Sequence, residues 1–133
     1  MLFFGAFTGA ELLRRTPPDR YVFNYRASYV EETDAVVHYL VKVRHLRPEQ
    51  IAVFAQHDAF GDAGFDGVAK AVRALQGDEG AIVRMGYERN TVDVDAAVSL
   101  LRELKTPVEA VVMVATYRAA AKFIEKTSDL YPR

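Results

Sequence analysis

The chain alternates between short apolar runs and longer stretches in which apolar residues recur at helical spacing. The apolar runs cover residues 51–55, 81–87 and 110–115. A short apolar run bounded by turn residues is typical of a buried strand, whereas apolar residues three or four positions apart are typical of an amphipathic helix. The pattern therefore predicts three successive strand–helix units.

The central unit is the stretch over residues 51–67, IAVFAQHDAFGDAGFDG. Its apolar start predicts a buried strand, and the polar residues that follow predict a loop that contains Phe60 and Gly61. After Gly61, residues such as Phe65 and Val68 begin a helical apolar stripe. In open α/β sheets, ligands bind at such a junction, beyond the carboxyl end of a central strand.

This alternation of strands and helices predicts the α/β class, with a three-layer α/β/α sandwich built on a parallel sheet. Right-handed crossovers place the strand over residues 51–55 between the other two. Parallel strands end at a common edge, so we expect Phe60, Thr116 and Tyr117 to lie close together there.

The first part of the chain departs from this repeat. Residues 1–7 are apolar, like a core strand, and a glycine-flanked loop leads from them into a short helical piece over residues 11–15. The alternating aromatic segment over residues 21–29, YVFNYRASY, predicts a strand or an extended connection. A helix is then expected to open at Glu31 and Glu32, because negative charge favours a helix start.

Composition narrows the function classes. The 133 residues are 50% apolar and 26% charged, which suits one soluble domain of ordinary size. The net charge of −1 argues against nucleic acid as a main partner, since phosphate binding requires a basic surface. The absence of cysteine excludes disulfides and thiolate metal sites. No run is long enough to span a bilayer, and we expect no signal peptide in this chain.

The sequence contains few residues in arrangements that would support catalysis. Gly61, Gly64 and Gly67 lack the spacing of a dinucleotide-binding turn, so we interpret them as small residues that let a helix pack closely. No phosphate-binding loop, no G-x-S-x-G motif and no metal-ligand spacing of histidines is present. We therefore expect no catalytic residue, cofactor or metal. A small α/β enzyme that uses His57 and Asp58 is kept as an alternative.

The remaining candidate residues suit binding without reaction. Thr8 carries a hydroxyl in a glycine-flanked loop with free backbone N–H groups, which suits a carboxylate. Phe60 and Tyr117 carry aromatic faces for an apolar or cationic group, and Thr116 carries a second hydroxyl. Small-molecule sites combine such residues.

Five segments in this order resemble the type I periplasmic binding proteins, and above all the Leu/Ile/Val-binding type of branched-chain amino acid ABC transporters. The segments are GAFTGAELLR, RYVFNYRASY, IAVFAQHDAFGDAG, NTVDVDAAV and AVVMVATYRAAAKFI, and the match runs over essentially the whole chain. The resemblance implies two α/β lobes that close on a ligand. It divides this chain into the end of the first lobe (residues 1–16), a crossover or hinge segment (17–30) and an incomplete second lobe (31–133).

The resemblance also assigns site residues. Ala6 and Thr8 match the family's first-lobe loop, which holds the carboxylate and ammonium of the ligand. Phe60 stands where many members have tyrosine before glycine, and the lost hydroxyl favours a more apolar or aromatic ligand. Thr116 and Tyr117 match the aromatic position after the third strand. The acidic residue that amino-acid-binding members use lies on a later segment, which this sequence lacks.

The function implied by the resemblance is that of the solute-binding component of an ABC-type importer. Its partners would be a small carboxylate-bearing ligand (an amino acid, an amide or an aromatic acid) and the ABC permease subunits. The full-length protein would be periplasmic or extracellular, with or without a lipid anchor, and Met1 would not be its natural start. A ligand-sensing regulatory domain of the same fold is the alternative within this family.

This chain by itself is predicted to form homo-oligomers. Its apolar first-lobe segment and the unfilled edge of its sheet invite pairing or exchange between copies. Light scattering on the chain at high concentration should give a mass above that of the monomer. A clean monomer mass would contradict the prediction.

Overall fold

A computed structural model describes residues 1–131. Three short 3-10 turns, at Glu11–Leu13, Pro48–Gln50 and Glu79–Ala81, join the longer elements. In chain order, those strands and helices are β1 (Phe3–Phe4), β2 (Val22–Phe23), α1 (Tyr29–Lys42), β3 (Ile51–Gln56), α2 (Ala59–Ala74), β4 (Val83–Tyr87), α3 (Asp95–Glu103), β5 (Ala110–Val114) and α4 (Tyr117–Thr127).

The main sheet has three parallel strands in the order β4-β3-β5. Phe54 of β3 lies opposite Met85 of β4 and Met113 of β5. The predicted central position of this strand is therefore confirmed. The short strands β1 and β2 pair in parallel with each other and form a separate sheet.

The central strand β3 is buried along all six of its residues, and its side chains alternate between two cores. Ile51, Val53 and Ala55 pack with α1 and α2 on one face of the sheet. Ala52 and Phe54 pack with α3 and α4 on the other face. Helices thus cover both faces, and the predicted three-layer α/β/α architecture is confirmed.

Helix α2 begins earlier than its apolar stripe suggests. The Asp58 carboxylate oxygen Oδ1 accepts hydrogen bonds from the backbone N–H groups of Phe60 and Gly61, at 3.0 and 3.2 Å. Such a cap satisfies N–H groups that have no partner within the helix. Phe60 therefore lies in the first turn of α2. Its prediction as a loop residue was wrong, because the first turn carries none of the apolar periodicity that reveals a helix.

Helix α1 likewise starts earlier than expected, at Tyr29. The Ser28 hydroxyl accepts from the N–H of Glu31, and the Glu31 carboxylate accepts from the N–H of Ser28, at 3.1 and 2.7 Å. This reciprocal capping box fixes the helix start. The extended segment predicted over residues 21–29 accordingly narrows to a strand at Val22–Phe23.

The glycine stripe of α2 lies where the helix approaches its neighbours most closely. A Cβ atom at Gly61 would lie 1.9 Å from the carbonyl oxygen of Gln56. A Cβ atom at Gly64 would lie 2.4 Å from Cγ2 of Val114. The expected packing role is therefore confirmed, and the stripe lets α2 pack tightly against the sheet.

The N-terminal segment leaves large apolar side chains in contact with solvent. Phe4 is 73% exposed and Phe7 is 91% exposed. The predicted association of this chain rests on that surface and stays a prediction. None of the helices within residues 1–131 is both long enough and apolar enough to cross a membrane.

Replacing Gly67 by alanine should destabilise the fold. The new Cβ atom would lie 2.1 Å from Thr33 Oγ1 and 2.4 Å from the carbonyl oxygen of Val30, both on α1. Overpacking costs about 1–3 kcal/mol. Because a backbone oxygen cannot rotate away, we expect this cost to outweigh the gain of about 1 kcal/mol from alanine in a helix. Urea unfolding of Gly67→Ala should show the loss.

The matched control is Gly80→Ala. Its Cβ atom would meet only the Asp78 side chain, at 3.1 Å for the nearest atom, and an exposed side chain can move. Its free energy of unfolding should stay near that of the wild type. Equal stability of the wild type and Gly67→Ala would show that α1 and α2 can separate without cost.

Candidate functional site

A cleft of about 1040 Å³ opens at the carboxyl edge of the main sheet. Its walls come from the N-terminal loop, the start of α2, the loop after β4 and the start of α4. The lining residues are Thr8, Ala10, Gln56, Asp58, Ala59, Phe60, Arg89, Asn90, Thr91, Val92, Thr116 and Arg118.

The cleft brings together three of the five residues that the sequence singled out. Thr8, Phe60 and Thr116 all line it, although they are far apart in the chain. Ala6 and Tyr117 are not among its lining residues. Tyr117 is the first residue of α4, and its side chain is 84% exposed. A ligand-binding role for each of the five stays a prediction.

A polar network forms the floor of the cleft. The Tyr87 hydroxyl donates to Gln56 Oε1 at 2.9 Å and accepts from the backbone N–H of Thr116 at 2.9 Å. The Gln56 amide in turn donates to Asp58 Oδ2 at 2.6 Å. Tyr87 ends β4, Gln56 ends β3, and Thr116 follows β5. The network therefore ties together the ends of all three strands and the first turns of α2 and α4.

Asp58 is the acidic residue of the cleft lining. Burial acts to raise the pKa of its carboxyl group, but hydrogen bonds from Gln56 and from the N–H groups of Gly61 and Phe60 outweigh burial and hold the pKa below its usual value. The nearby Arg89 guanidinium also lowers this pKa. The carboxylate is therefore charged near neutral pH and serves as the cap of α2.

The structure does not assemble His57 and Asp58 into a catalytic pair. His57 Nδ1 lies 2.7 Å from Glu88 Oε1, and neither residue lines the cleft. Asp58 directs its oxygens to Gln56 and to the start of α2. His57 therefore pairs with Glu88 outside the cleft, and the enzyme alternative gains no support from this geometry.

Tyr29, the first residue of α1, links the N-terminal loop to α2. The Thr8 hydroxyl lies 3.0 Å from the Tyr29 hydroxyl and accepts from the N–H of Ala10 at 3.2 Å. The Tyr29 ring meets the Phe60 ring edge to face, with centroids 4.8 Å apart. This geometry is favourable for aromatic pairs. It holds Phe60 and Thr8 on the same side of the cleft.

Sequence reasoning missed two basic residues of the cleft, Arg89 and Arg118. Arg89 stands two residues after the end of β4, and Arg118 stands in the first turn of α4. Asn90, next to Arg89, adopts a φ of 64°, which is typical of a turn. The one available signal was position, since both arginines follow the carboxyl end of a strand.

The fold and the site define a class: an α/β lobe that presents a cleft of small-molecule size beyond the carboxyl ends of its strands. Comparison with protein families identifies the class more closely. The family model described as periplasmic binding protein matches residues 1–130. The chain belongs to the periplasmic binding protein family.

Solved structures agree with this assignment. A possible leucine/isoleucine/valine-binding protein from Rhodopirellula baltica SH 1 is 39% identical, with a TM-score of 0.86. The match covers 100% of this chain and 35% of the Rhodopirellula protein. A substrate-binding periplasmic protein from Ralstonia solanacearum is 30% identical, with a TM-score of 0.80. The match covers 100% of this chain and 35% of the Ralstonia protein. The chain thus spans about a third of these relatives. No curated protein matches it.

Removing the Asp58 carboxylate should destabilise the protein in a pH-dependent way. Loss of a helix N-cap costs about 0.5–2 kcal/mol, so Asp58→Ala should unfold more easily at pH 7. The pKa of Asp58 is lower in the folded state than in the unfolded state. The stabilisation that the charged carboxylate provides is therefore fully present above the usual carboxyl pKa of about 4. It is lost as the pH falls through the pKa of the folded state. Urea unfolding should show the difference from wild type shrinking at acid pH.

The control for this experiment is Asp58→Asn, because asparagine caps helices about as well as aspartate. It keeps the cap but brings its amide nitrogen up to the Gln56 amide, so at pH 7 it should be less stable than the wild type and more stable than Asp58→Ala, and it should lack the acid-dependent loss. A stability difference between wild type and Asp58→Ala that is constant from pH 7 to pH 3 would contradict the assigned role of the charge.

Proposed function

We propose that this chain is part of the solute-binding component of an ABC-type importer and that it binds a small carboxylate-bearing ligand without transforming it. The observation that carries the proposal is the convergence of Thr8, Phe60 and Thr116 on one cleft. Membership of the periplasmic binding protein family supports a solute-binding role. A site with hydroxyl groups and one aromatic face suits a ligand with a polar end and an apolar body.

The proposal includes a division of the chain between two lobes. Residues 1–16 are assigned to the first lobe, residues 17–30 to the crossover and residues 31–133 to an incomplete second lobe. The separate pairing of β1 with β2 supports this division, since these strands take no part in the main sheet. Ligand-driven closure follows because only the closed state lets both lobes contact the ligand.

The ligand class is proposed from the cleft and the relatives together. One structural relative is named as a possible leucine/isoleucine/valine-binding protein, which supports an amino acid or a related small acid. Phe60 offers an apolar aromatic surface beside the Thr8 hydroxyl. We therefore favour an amino acid, an amide or an aromatic acid whose apolar part contacts Phe60.

The partners and the location belong to the same proposal. The full-length protein would deliver its ligand to ABC permease subunits. It would act in the periplasm or outside the cell, either free or held by a lipid anchor. Family membership supports this setting.

A thermal-shift screen of the protein expressed from its complete gene tests the proposal. The panel holds branched-chain and aromatic amino acids, their deaminated acids and small amides. A ligand at about 100 times its Kd stabilises the folded state by about 2.7 kcal/mol, so one chemical class should raise the melting temperature by several degrees. Isothermal titration should then give a one-to-one complex.

Two variants locate the binding site. Phe60→Ala should reduce the ligand-induced shift measured against its own unliganded melting temperature, because the apolar surface of the cleft is lost. Tyr39→Ala removes a 53% exposed aromatic residue of α1 outside the cleft and should leave the shift unchanged. No shift across the whole panel, in a well-folded protein, would overturn the proposed ligand class and favour a sensor of another kind of molecule.

A further inference from the structure

Two parts of the cleft wall, the loop after β4 and the start of α4, carry one arginine each. Arg89 lies in the loop after β4, and Arg118 lies in the first turn of α4. Both line the same cleft as Phe60. The wall therefore presents two permanent positive charges to the space where a ligand would bind.

Neither of these two guanidinium groups is paired with a carboxylate of the described chain. Within residues 1–131, Arg89 and Arg118 form no ion pair, as is also true of Arg14, Arg15, Arg20 and Arg44, whereas five other arginines do. Those five are Arg26, Arg47, Arg73, Arg84 and Arg102. The Asp58 carboxylate lies near Arg89, so the two arginines leave the described cleft lining with one positive charge in excess.

The acidic residue of the cleft lining cannot serve a cationic ligand well. Asp58 accepts two backbone hydrogen bonds on Oδ1 and one from the Gln56 amide on Oδ2. Its charge is therefore already stabilised by donors of its own chain. The described part of the cleft wall offers an ammonium group no other carboxylate.

Both arginines stand on anchored backbone. The Thr91 hydroxyl donates to the carbonyl oxygen of Glu88 at 2.8 Å, and the Thr91 N–H donates to the same oxygen at 3.2 Å, so the turn that carries Arg89 is closed. The start of α4, which carries Arg118, is held through the bond from Thr116 N–H to the Tyr87 hydroxyl. Anchored backbone lowers the entropy cost of positioning these long side chains around a ligand.

We propose that this wall selects a ligand of net negative charge, namely a carboxylic acid without a compensating ammonium group, and that Arg89 and Arg118 receive its carboxylate. This inference rests on the proposed solute-binding function. Guanidinium groups bind carboxylates through charge-assisted hydrogen bonds, which are stronger than those between neutral groups. A zwitterionic amino acid would bring its ammonium group into a wall that already carries excess positive charge.

Matched ligands test this directly on the protein expressed from its complete gene. Isothermal titration compares 3-phenylpropanoate with phenylalanine and 3-phenylpropanamide, and 4-methylpentanoate with leucine and 4-methylpentanamide. Within each set, we expect the acid to bind at least ten-fold more tightly than the amino acid and the amide. Raising the salt concentration should weaken binding of the acid, because exposed charges are screened.

Substitutions assign the effect to the two arginines. Arg89→Gln and Arg118→Gln should each weaken binding of the preferred acid by about ten-fold or more, the loss expected for a hydrogen bond to a charged group. The matched control is Arg84→Gln, on the same strand as the Arg89 turn, where the arginine pairs with Asp62 outside the cleft. It should bind the acid as the wild type does. Melting curves by circular dichroism confirm that all variants are folded.

The outcomes separate this inference from the proposed function. Acid-selective binding that both cleft variants weaken supports it. Amino acids or amides that bind as tightly as the matched acids, or acid binding unchanged in both variants, would overturn the inference and leave the solute-binding function intact. Binding of no ligand in either set would overturn the proposed ligand class together with the inference.

Discussion

Everything that shapes the cleft depends on the enclosure of β3. The strand is paired along both edges and covered on both faces, and all six of its residues are buried. Displacing it would expose two cores at once, and each fully buried Ile, Val or Phe side chain contributes about 1.5–3 kcal/mol to folding. Phe54 illustrates the enclosure, since it stacks against Tyr87 at 5.3 Å and Phe123 at 4.3 Å. The carboxyl end of β3 is therefore a fixed point in the molecule.

Polar contacts extend this rigidity from the strand ends to the cleft. Gln56 closes β3 and bonds both to the Tyr87 hydroxyl and to Asp58, and Tyr87 in turn holds the N–H of Thr116. A network in which every polar group has a hydrogen-bond partner fixes side-chain geometry well where the site is partly shielded from water. The helix starts that bear Phe60 and Arg118 are consequently placed by side chains of neighbouring strands. Such placement suits a binding protein, which gains affinity from groups that are ordered before the ligand arrives.

The elements with long apolar patterns were predictable, and their starts were not. The run over residues 51–55 identified the central strand, and Gly61 and Gly64 indicated close packing of the next helix. Phe60 was assigned to a loop because the first turn of α2 is recognised only through the Asp58 cap, which is a side-chain contact and leaves no periodicity. The residues of the cleft likewise include some that were predictable and some that were not. Thr8, Phe60 and Thr116 were singled out from residue type and resemblance, whereas Arg89 and Arg118 were not predicted as site residues.

The sequence by itself determined the α/β class, the order of the strands in the main sheet and the edge of the sheet at which the cleft opens. These properties follow from hydrophobic periodicity and from the handedness of crossovers, which are local or nearly local rules. Only the tertiary structure decided which side chains share the cleft, which hydroxyl ties the strand ends together and which arginines lack a carboxylate partner. Those facts depend on contacts between residues tens of positions apart, such as Gln56 with Tyr87 and Tyr29 with Phe60, and no pattern along the chain encodes their geometry.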